Sequence, residues 1–571
     1  MKNYPLLEPR PIRDLKQMLD ESAQLFADRP VFHAKASQDA SYQPILYKTL
    51  KADVDALGTA LVDLGLKDTR IALIGEHRFE WAVSYLGVVN GTGIIVPLDK
   101  ELPSHEIRNM VERARTSAVI FSGKLAEKVA EAVQGNDGVR YLIHMDAKED
   151  DGKILSFSRL VEKGRALLAE GNREFLDAVI DPDEMRIILF TSANTSKSKG
   201  AMLTHRNIAS NLYAVSRMFE LRSDDVMLSV LPIHHTYECT CGFLLTVYKG
   251  SSVAFCDGLK YIAKNMAEAR PSVMLCVPLL LENMYRKIWE SARKKGADKK
   301  LRIALKISNF LRKLGIDLRK KLFAEIHHTF GGRLRLMISG AAAVDPVVMK
   351  GLQDLGILAI QGYGLTECSP ILTVNREFYY KDASCGLVIP CCEIRIDDPN
   401  DAGVGEIIAR GENIMLGYYE DEEANQAAFK DGLFLTGDLG CFDKEGFLYI
   451  TGRKKNVIIT KNGKNVYPEE IEMLLNKSPY ISESMVIGKD LPDEEDITLA
   501  AQVVPDMDAI RELPGGAELS SEQIRDMIWK DIKEINKNMV SYKRIKELVI
   551  RDREFEKTTT KKIKRYAEGN K

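Results

Sequence analysis

Short apolar runs and stretches of helical spacing alternate along most of the chain. The segment RIALIGEHRFEWAVSYLGVVNGTGIIVPLD predicts a strand, a helix and a second strand, since an apolar run is followed by apolar residues at three- and four-residue steps. Four further runs, SAVIFSG, SVAFCDG, SVMLCVP and LRLMISG, are rich in strand-forming residues and end in turn residues. This alternation is typical of an α/β fold with a largely parallel sheet system.

The pattern changes near the C-terminal third of the chain. Short strands with Gly-rich turns, as in GVGEIIARGENIMLGYY, predict an antiparallel or barrel-like piece. From GRKKNVIITKNGKNVYPEEIEMLL onward, strands and helices are mixed over a length that suits a small α+β domain. We therefore predict a large N-terminal domain, 1–452, of two α/β sheet subdomains plus a small β-barrel-like piece, and a small α+β C-terminal domain, 453–571.

The stretch TSANTSKSKG, residues 191–200, combines hydroxyls with two lysines. It lies between the strand-like RIILF and the helical spacing of AMLTHRNIASNLYAV, so it predicts a strand, a loop and a helix. Hydroxyls, lysines and the free N–H groups of a helix start suit phosphate. An ordinary capped helix start explains the same residues, so this loop alone leaves both interpretations open.

Length, charge and cysteine usage narrow the class of protein. A chain of 571 residues needs several cores, and 45% hydrophobic residues can build them. The formal net charge of -2 gives no indication of nucleic-acid binding. The first residues contain no apolar signal region and no long uncharged apolar run follows, so we expect a cytoplasmic protein. Nine cysteines without a C-x-x-C pair predict free thiols rather than a zinc site.

Three further segments supply groups suited to nucleotide chemistry. QGYGLTECSP offers Thr366 and Glu367, LTGDLG offers Asp438, and FEKTTTKKIKRY offers Lys561 and Lys562. One carboxylate can hold Mg²⁺ together with phosphate oxygens, and another can accept hydrogen bonds from ribose hydroxyls. Each residue also has an ordinary explanation as a helix cap, a turn aspartate or a solvated basic tail.

In their order along the chain, these motifs resemble the adenylate-forming (ANL) superfamily of AMP-binding enzymes, which includes acyl-CoA synthetases, luciferases and nonribosomal adenylation domains. The similar segments are TSANTSKSKG, LPIHHTYE, SGAAAV, GYGLTE, RGENIMLGYY, TGDLG, GRKKNVI and NVYPEEIE. Within the superfamily, VPLLLENMYRKIW and the basic insertion after it resemble the long-chain acyl-CoA synthetase type. The resemblance covers nearly the whole chain.

The resemblance implies a two-step reaction with ATP, Mg²⁺ and coenzyme A. A fatty acid, of long chain in this branch, would be activated to an acyl-adenylate with release of pyrophosphate. The acyl group would then pass to the thiol of coenzyme A with release of AMP. Positioning and electrostatics carry most of such catalysis.

Residue by residue, the resemblance assigns contacts to ATP and the metal. The β- and γ-phosphates would be held by Thr191, Ser192, Asn194, Thr195 and Lys199. Thr366 would contact the α-phosphate and Glu367 the Mg²⁺. The adenine and ribose contacts would come from Gly340, Ala341, Tyr363, Asp438 and Arg453.

The resemblance also implies a mobile C-terminal domain. Lys562 would bridge the carboxylate and the α-phosphate, Lys455 would be the hinge, and His235 would border the carboxylate. His234 beside it is interpreted as a structural histidine.

Two departures keep other functions open. The loop 191–200 lacks two glycines and a proline of the family pattern, so a nucleotide-binding pseudoenzyme is an alternative. Lys561 stands where the family commonly has glycine before its catalytic lysine. The assignment of the catalytic lysine to Lys562 could therefore shift by one residue. A ligase that loads a carrier protein on a separate chain is a further alternative.

A basic segment, 291–330, differs from the neutral chain around it. Its apolar residues recur at three- and four-residue steps and predict an amphipathic helix interrupted near Gly315: Ile303, Ile307, Phe310, Leu311, Leu314, Leu318 and Leu322. Either the apolar stripe packs on the body, or the segment makes a peripheral contact with an anionic membrane, such as the inner face of the cell membrane.

Overall fold

The computed structural model of the chain describes residues 3–191, 198–461, 464–489, 497–557 and 563–565. Five residues singled out by the sequence lie outside this set: Ser192, Asn194, Thr195, Lys561 and Lys562. The described residues form two compact units. Of the described residues, the first unit contains 3–191, 198–394 and 409–434, and the second contains 395–408, 435–461, 464–489, 497–557 and 563–565.

The strands are numbered in chain order. They are β1 (Pro30–Ala34), β2 (Gln43–Leu46), β3 (Arg70–Ile74), β4 (Ile94–Leu98), β5 (Ala118–Phe121), β6 (Tyr141–His144), β7 (Ile154–Ser156), β8 (Met185–Thr191), β9 (Lys199–Thr204), β10 (Val226–Ser229), β11 (Ser252–Phe255), β12 (Val273–Cys276), β13 (Leu336–Ser339), β14 (Leu358–Gly364), β15 (Ile371–Val374), β16 (Leu387–Val388), β17 (Cys392–Asp397), β18 (Gly405–Gly411), β19 (Gly417–Tyr418), β20 (Phe429–Lys430), β21 (Leu433–Phe442), β22 (Leu448–Arg453), β23 (Ile458–Ile459), β24 (Asn465–Val466), β25 (Ile481–Lys489), β26 (Thr498–Pro505) and β27 (Ile545–Ile550).

The α-helices are α1 (Leu15–Leu25), α2 (Tyr47–Asp63), α3 (Phe79–Gly87), α4 (Ser104–Arg113), α5 (Ala126–Val133), α6 (Phe157–Ala169), α7 (His205–Met218), α8 (Leu245–Lys249), α9 (Ile262–Ala269), α10 (Pro278–Lys294), α11 (Asp298–Lys313), α12 (Arg319–Leu322), α13 (Ala324–Thr329), α14 (Pro346–Asp354), α15 (Glu422–Ala428), α16 (Pro468–Leu475), α17 (Met507–Arg511) and α18 (Ser521–Lys537). A π-helix, Tyr237–Leu244, leads directly into α8.

Two large sheets organise the first unit. One has the order β19-β9-β8-β4-β3-β5-β6-β7, and the other the order β16-β15-β14-β13-β12-β10-β11-β1-β2. Their central pairs are parallel, and antiparallel pairs occur toward the edges, as at β8–β9 and β14–β15. Central strands such as β5 are buried at every residue, as expected for strands covered on both faces. The predicted α/β fold with two sheet subdomains is confirmed.

The junction after residue 191 differs from its prediction. The chain returns as strand β9, which pairs antiparallel with β8 from Thr191↔Lys199 to Met185↔Thr204. Helix α7 begins only at His205, where Thr204 and Asn207 form a capping box. The predicted strand–loop–helix order was therefore wrong. Residues 199–204 have strand neighbours on both sides, β8 and β19, and this pairing outweighs the helical spacing of their apolar residues.

The second unit is built from short antiparallel strands followed by a small α+β part. Strands β21 and β22 pair from Asp438↔Arg453 to Phe442↔Leu448. In the α+β part, β25, β26 and β27 form a sheet, and one face of α18 buries Ile524, Ile528 and Ile532 at four-residue steps. These elements agree with the predicted short antiparallel strands and the predicted mixture of strands and helices after them. The domain boundary at 452/453 stays a prediction.

Two further features bear on the expected class of protein. All nine cysteines are free, and six of them are buried, as predicted. Among the described residues, no helix combines the length and the apolar character that crossing a membrane requires.

Candidate functional site

The loop expected to hold phosphate is anchored at both of its described ends. Thr191 and Lys199 are paired across the β8–β9 hairpin, and the Thr191 hydroxyl donates to the Lys199 carbonyl at 3.3 Å. The Ser198 carbonyl accepts from Nη1 of Arg113 at 2.6 Å. The hairpin thus fixes the two backbone positions between which the hydroxyl-rich segment runs.

Tyr418 connects two of the predicted site residues. Nζ of Lys199 lies 4.8 Å from the centre of the Tyr418 ring, and the Tyr418 hydroxyl donates to Oε1 of Glu367 at 2.9 Å. Strand β19 places Tyr418 beside β9, and the Tyr418 N–H donates to Oδ1 of Asn425 at 2.6 Å. The structure therefore brings Lys199 and Glu367 to one buried side chain. The tyrosine lies in the motif RGENIMLGYY, but no role was predicted for it.

A second group of contacts surrounds Thr366. The Thr236 hydroxyl donates to the Thr366 hydroxyl at 3.2 Å, and the half-buried His235 precedes Thr236. The next residue, Tyr237, donates its own N–H to Nδ1 of His235 at 3.2 Å. Its ring occupies the space that a Cβ at Gly340 would need, 3.0 Å from the nearest ring carbon. His235, Gly340 and Thr366 are thus brought together around residues 236 and 237.

Two buried asparagines hold the turn that carries Thr366 and Glu367. The side-chain amide of Asn211 donates to the carbonyls of Cys368 and Ile371 at 3.2 and 2.9 Å. The amide of Asn413 donates to the same two carbonyls at 3.1 and 2.9 Å. Both asparagines are fully buried, so the turn is fixed by hydrogen bonds shielded from water. Such support is what a preorganised site requires.

The predicted adenine pocket contains a strained residue. Ala341 has a φ of 77°, in the left-handed region that glycine adopts at little cost. An alanine there costs about 1–2 kcal/mol, and non-glycine residues in this region cluster at functional sites. The side chain of Ala341 is exposed, while the predicted partner Tyr363 is 8% exposed.

The second unit contains the predicted ribose contact. Asp438 and Arg453 are cross-strand neighbours, and Nε of Arg453 lies 2.6 Å from Oδ1 of Asp438. Asp438 is buried, whereas the Arg453 side chain is 35% exposed. The predicted hinge, Lys455, is an exposed residue of the short 3-10 turn Lys454–Asn456.

Burial controls the ionisation of two side chains in the motif LPIHHTYE. His234 lies 3.7 Å from Asp99, and burial lowers its pKa, which favours the neutral ring of a structural histidine. Burial raises the pKa of Glu238 to about 8, although the Ser229 hydroxyl donates to Oε1. Glu238 is therefore protonated at neutral pH. In the sequence, Glu238 is a charged residue within an otherwise apolar run, and this signal could have identified it.

An apolar cavity of about 20 Å³ lies beside this motif. It is lined by Val215, Phe219, Met227, Tyr237, Cys241, Leu245, Leu275, Ile338, Ile371 and Val374. Tyr237 thus lines the cavity and also lies against Gly340.

The donor set in the first unit suits Mg²⁺ held mainly by phosphate oxygens. Within the described ranges, no cluster of three or more His, Cys, Asp and Glu residues is arranged to hold a metal ion. Glu367 supplies one oriented carboxylate. This fits Mg²⁺, which keeps waters and substrate phosphates as ligands and needs one or two protein carboxylates.

Comparison with known families matches almost the whole chain. A family described as AMP-binding enzyme matches residues 19–419, and one described as AMP-binding enzyme C-terminal domain matches residues 455–568. Long-chain-fatty-acid–CoA ligase 5 of Mus musculus is 29% identical over 561 residues, which cover 90% of this chain and 80% of the relative. Long-chain-fatty-acid–CoA ligase 1 of Homo sapiens is 29% identical over 508 residues, which cover 83% of this chain and 71% of the relative.

Solved structures show the same architecture. ATP-bound MatB from Rhodopseudomonas palustris superposes with a TM-score of 0.72 at 25% identity, covering 96% of this chain and 98% of that one. An anthranilate CoA ligase in complex with anthranoyl-AMP gives a TM-score of 0.75 at 19% identity, covering 100% of this chain and 98% of that one.

Proposed function

This chain belongs to the AMP-binding enzyme family, and from that premise we propose that it is an ATP-dependent acid–CoA ligase acting on a long-chain fatty acid. The observation that carries the proposal is the contact of Lys199 and Glu367 with one side chain, Tyr418, in the first unit. A cation and a carboxylate placed together suit a polyphosphate with its divalent ion. The curated ligases matched over most of the chain support the acid–CoA chemistry.

In the first step, a carboxylate oxygen of the acid attacks the α-phosphorus of ATP. The bond to the bridging oxygen breaks, pyrophosphate leaves and an acyl-adenylate forms. Both reactants are anions, so the site must neutralise charge and align the attack. We assign the β- and γ-phosphates to Lys199 and Thr191, with Ser192, Asn194 and Thr195 of the same loop, and the α-phosphate to Thr366.

Mg²⁺ would be held by Glu367 and would neutralise phosphate charge when bound. The hydrogen bond from Tyr418 fixes the orientation of this carboxylate. Asn211 and Asn413 fix the backbone that carries it. These three residues are positioning residues.

In the second step, the thiol of coenzyme A attacks the acyl carbon and AMP leaves. We assign the ribose to Asp438 and Arg453, and the adenine to Gly340, Ala341 and Tyr363. His235 would border the acid carboxylate. Lys562 would assist only the first step and be withdrawn by rotation at Lys455.

We assign the acyl chain to the apolar side of Tyr237. The cavity there is lined by apolar side chains and thus suits a hydrocarbon, although its volume of about 20 Å³ requires the lining to move for a long chain. The fatty-acid ligases among the relatives support a long chain.

A panel of carboxylic acids from short to very long chains, with ATP and coenzyme A, tests this function. We expect formation of AMP and acyl-CoA to be greatest with long chains. AMP binding without pyrophosphate release from any acid would instead indicate a pseudoenzyme. Activity only with a phosphopantetheinylated carrier as acceptor would indicate the carrier-loading alternative.

The metal assignment has its own test. Glu367→Gln should raise the Mg²⁺ concentration required for adenylation and leave AMP affinity nearly unchanged. Glu423→Gln, on the exposed face of α15, is the matched control. An unchanged Mg²⁺ requirement in Glu367→Gln would remove Glu367 from the metal site.

A further inference from the structure

Helix α11 of the first unit carries apolar residues on two nearly opposite faces. At about 100° per residue, Leu301, Leu305 and Leu311 fall near one side. A second stripe falls near the other side and consists of Ile303, Ile307 and Phe310, continued by Leu314 directly after the helix. We call this second set the outward stripe. A helix that packs by one face has no folding reason for the second stripe.

The first face is the one that packs on the unit. Leu301, Leu305 and Leu311 are half-buried, and Ser308 on the same side is fully buried. Contacts to α14 hold the segment in place, since Arg312 reaches Asp354 at 3.4 Å. The orientation of α11 is therefore set by its inner side.

The outward stripe remains exposed. Ile303 and Ile307 are 57% and 50% exposed, and Phe310 and Leu314 are both 62% exposed. The chain breaks at Gly315, as predicted, with φ at 81°. Exposed apolar residues continue beyond the break at Ile316, Leu318 and Leu322. Of the two interpretations left open by the sequence, packing on the body therefore does not describe these residues, and a series of exposed apolar residues of this kind marks an interaction surface.

Lysines border the outward stripe. Lys299, Lys306 and Lys313 follow one edge at seven-residue steps, and Lys300 lies on the other edge. All four are exposed. Within the part of the chain that the structure describes, none of the four has an ion-pair partner.

Acidic residues in the segment 291–330 are few, and most of them form ion pairs. Of the three in 291–330, Asp317 pairs with Arg319 at 2.6 Å, and Glu325 pairs with Lys295. The third, Asp298, is half-buried at the first position of α11. Within 291–330, the outward stripe is therefore an apolar strip edged by lysines.

We propose that this surface docks on an anionic lipid membrane, with α11 lying in the plane of the interface. The outward stripe would enter the boundary between headgroups and acyl chains, while the lysines at its rim would contact anionic headgroups. The combination of an exposed apolar stripe and unpaired lysines on both edges carries the proposal. It does not depend on the reaction proposed above.

Charge complementarity favours a membrane over a second copy of the chain. In a symmetric dimer through this surface, the lysine rims would face each other, and like charges across an interface oppose association. An anionic bilayer supplies both an apolar layer and a continuous negative surface.

Co-sedimentation of the full chain with lipid vesicles tests the proposal. We expect binding to vesicles of phosphatidylcholine mixed with phosphatidylglycerol, weak binding to phosphatidylcholine alone, and release at raised salt. Replacing Lys299, Lys300, Lys306 and Lys313 by glutamine should weaken binding at least about tenfold, since each cation near such a surface contributes severalfold.

A charge-matched variant separates local from general electrostatics. It replaces four exposed lysines elsewhere, Lys148, Lys153, Lys260 and Lys444, by glutamine and should bind like the wild type. The double variant Ile307→Ser, Phe310→Ser should lose most binding at low salt, with its melting temperature nearly unchanged.

Several results would overturn the proposal. These are absence of binding to anionic vesicles at low salt, equal binding to neutral vesicles, or equal loss in both lysine variants. Dimerisation of the wild type that is abolished by Ile307→Ser, Phe310→Ser would assign the surface to a second copy. Retained vesicle binding together with loss of an acidic protein partner in the lysine variant would assign it to that partner.

Discussion

The π-helix Tyr237–Leu244 and helix α11 both belong to the first unit but distribute polar and apolar residues in opposite ways. Every residue of the π-helix is buried, including the carboxyl of Glu238. In α11 only Ser308 is fully buried, and three large apolar side chains, Ile303, Ile307 and Phe310, are at least half exposed. Soluble proteins normally bury apolar residues and expose carboxyls. Both exceptions occur where we place a ligand, an acid substrate beside one and a membrane on the other.

The buried carboxyl of Glu238 should have the largest effect on the stability of the fold, through its dependence on pH. The pKa of Glu238 is about 8 in the folded protein and 4.5 as its ordinary value, so the folded state binds more protons between these values. Stability is therefore greatest below about pH 4.5 for this group and is lost as the pH rises through about 8, by up to about 5 kcal/mol in total. Glu238→Gln cannot titrate, and its stability should fall less over this range.

Urea unfolding of both proteins at a series of pH values measures this difference. All other titrating groups are shared, so the change with pH of the difference in unfolding free energy isolates Glu238. Parallel curves for the two proteins would show that Glu238 is ionised in the fold.

Tight packing beside the carboxyl should give the next effect. A Cβ at Gly242 would lie 2.6 Å from Oε1 of Glu238. Gly242→Ala should therefore destabilise the fold by about 1–3 kcal/mol, the usual cost of overpacking a core. In a Glu238→Ala background the same change should cost much less, because the obstructing side chain is gone. An equal cost in both backgrounds, measured by urea unfolding, would contradict this contact.

The loss of the Tyr237 hydroxyl should lower the free energy of unfolding by less than the change at Gly242. It donates to the Ile338 carbonyl at 2.8 Å in a buried position. Tyr237→Phe should lower the free energy of unfolding by about 1–2 kcal/mol, since the carbonyl loses a partner while the ring still packs against Gly340. Tyr248→Phe, in helix α8, also removes a hydroxyl that donates to a carbonyl, that of Arg10, and is the matched control. No loss in Tyr237→Phe would mean that water replaces the hydroxyl.

The two segments also show what the sequence can predict. Alternating strand and helix signals were sufficient for the parallel sheets, because buried strands and amphipathic helices are local patterns. Strand β9 was missed because its pairing with β8 and β19 is a tertiary effect. In α11 the spacing predicted the helix and its break at Gly315, but a helix with two apolar stripes does not reveal which one packs.

The candidate site was predicted to a similar degree. Ordered motifs singled out Lys199, Thr366 and Glu367 through resemblance, and their roles stay predictions. They did not identify Tyr418, which lies 51 residues from Glu367 in sequence and reaches it only through the pairing of β19 with β9. The amide of Asn211 reaches Cys368 across 157 residues. Such contacts depend on adjacency in space, which no local pattern encodes.

The smallest effects should come from the outward face of α11, and they sharpen the comparison most directly. Leu305→Ala removes a half-buried side chain from the inner face and should destabilise the fold by about 1–2 kcal/mol, toward the low end for a buried leucine. Phe310→Ala removes a larger side chain, yet it is 62% exposed and should change the free energy of unfolding by less than about 0.5 kcal/mol. If Phe310→Ala costs as much as Leu305→Ala in urea unfolding, the outward stripe supports the fold, and its exposure no longer indicates a surface kept for a membrane.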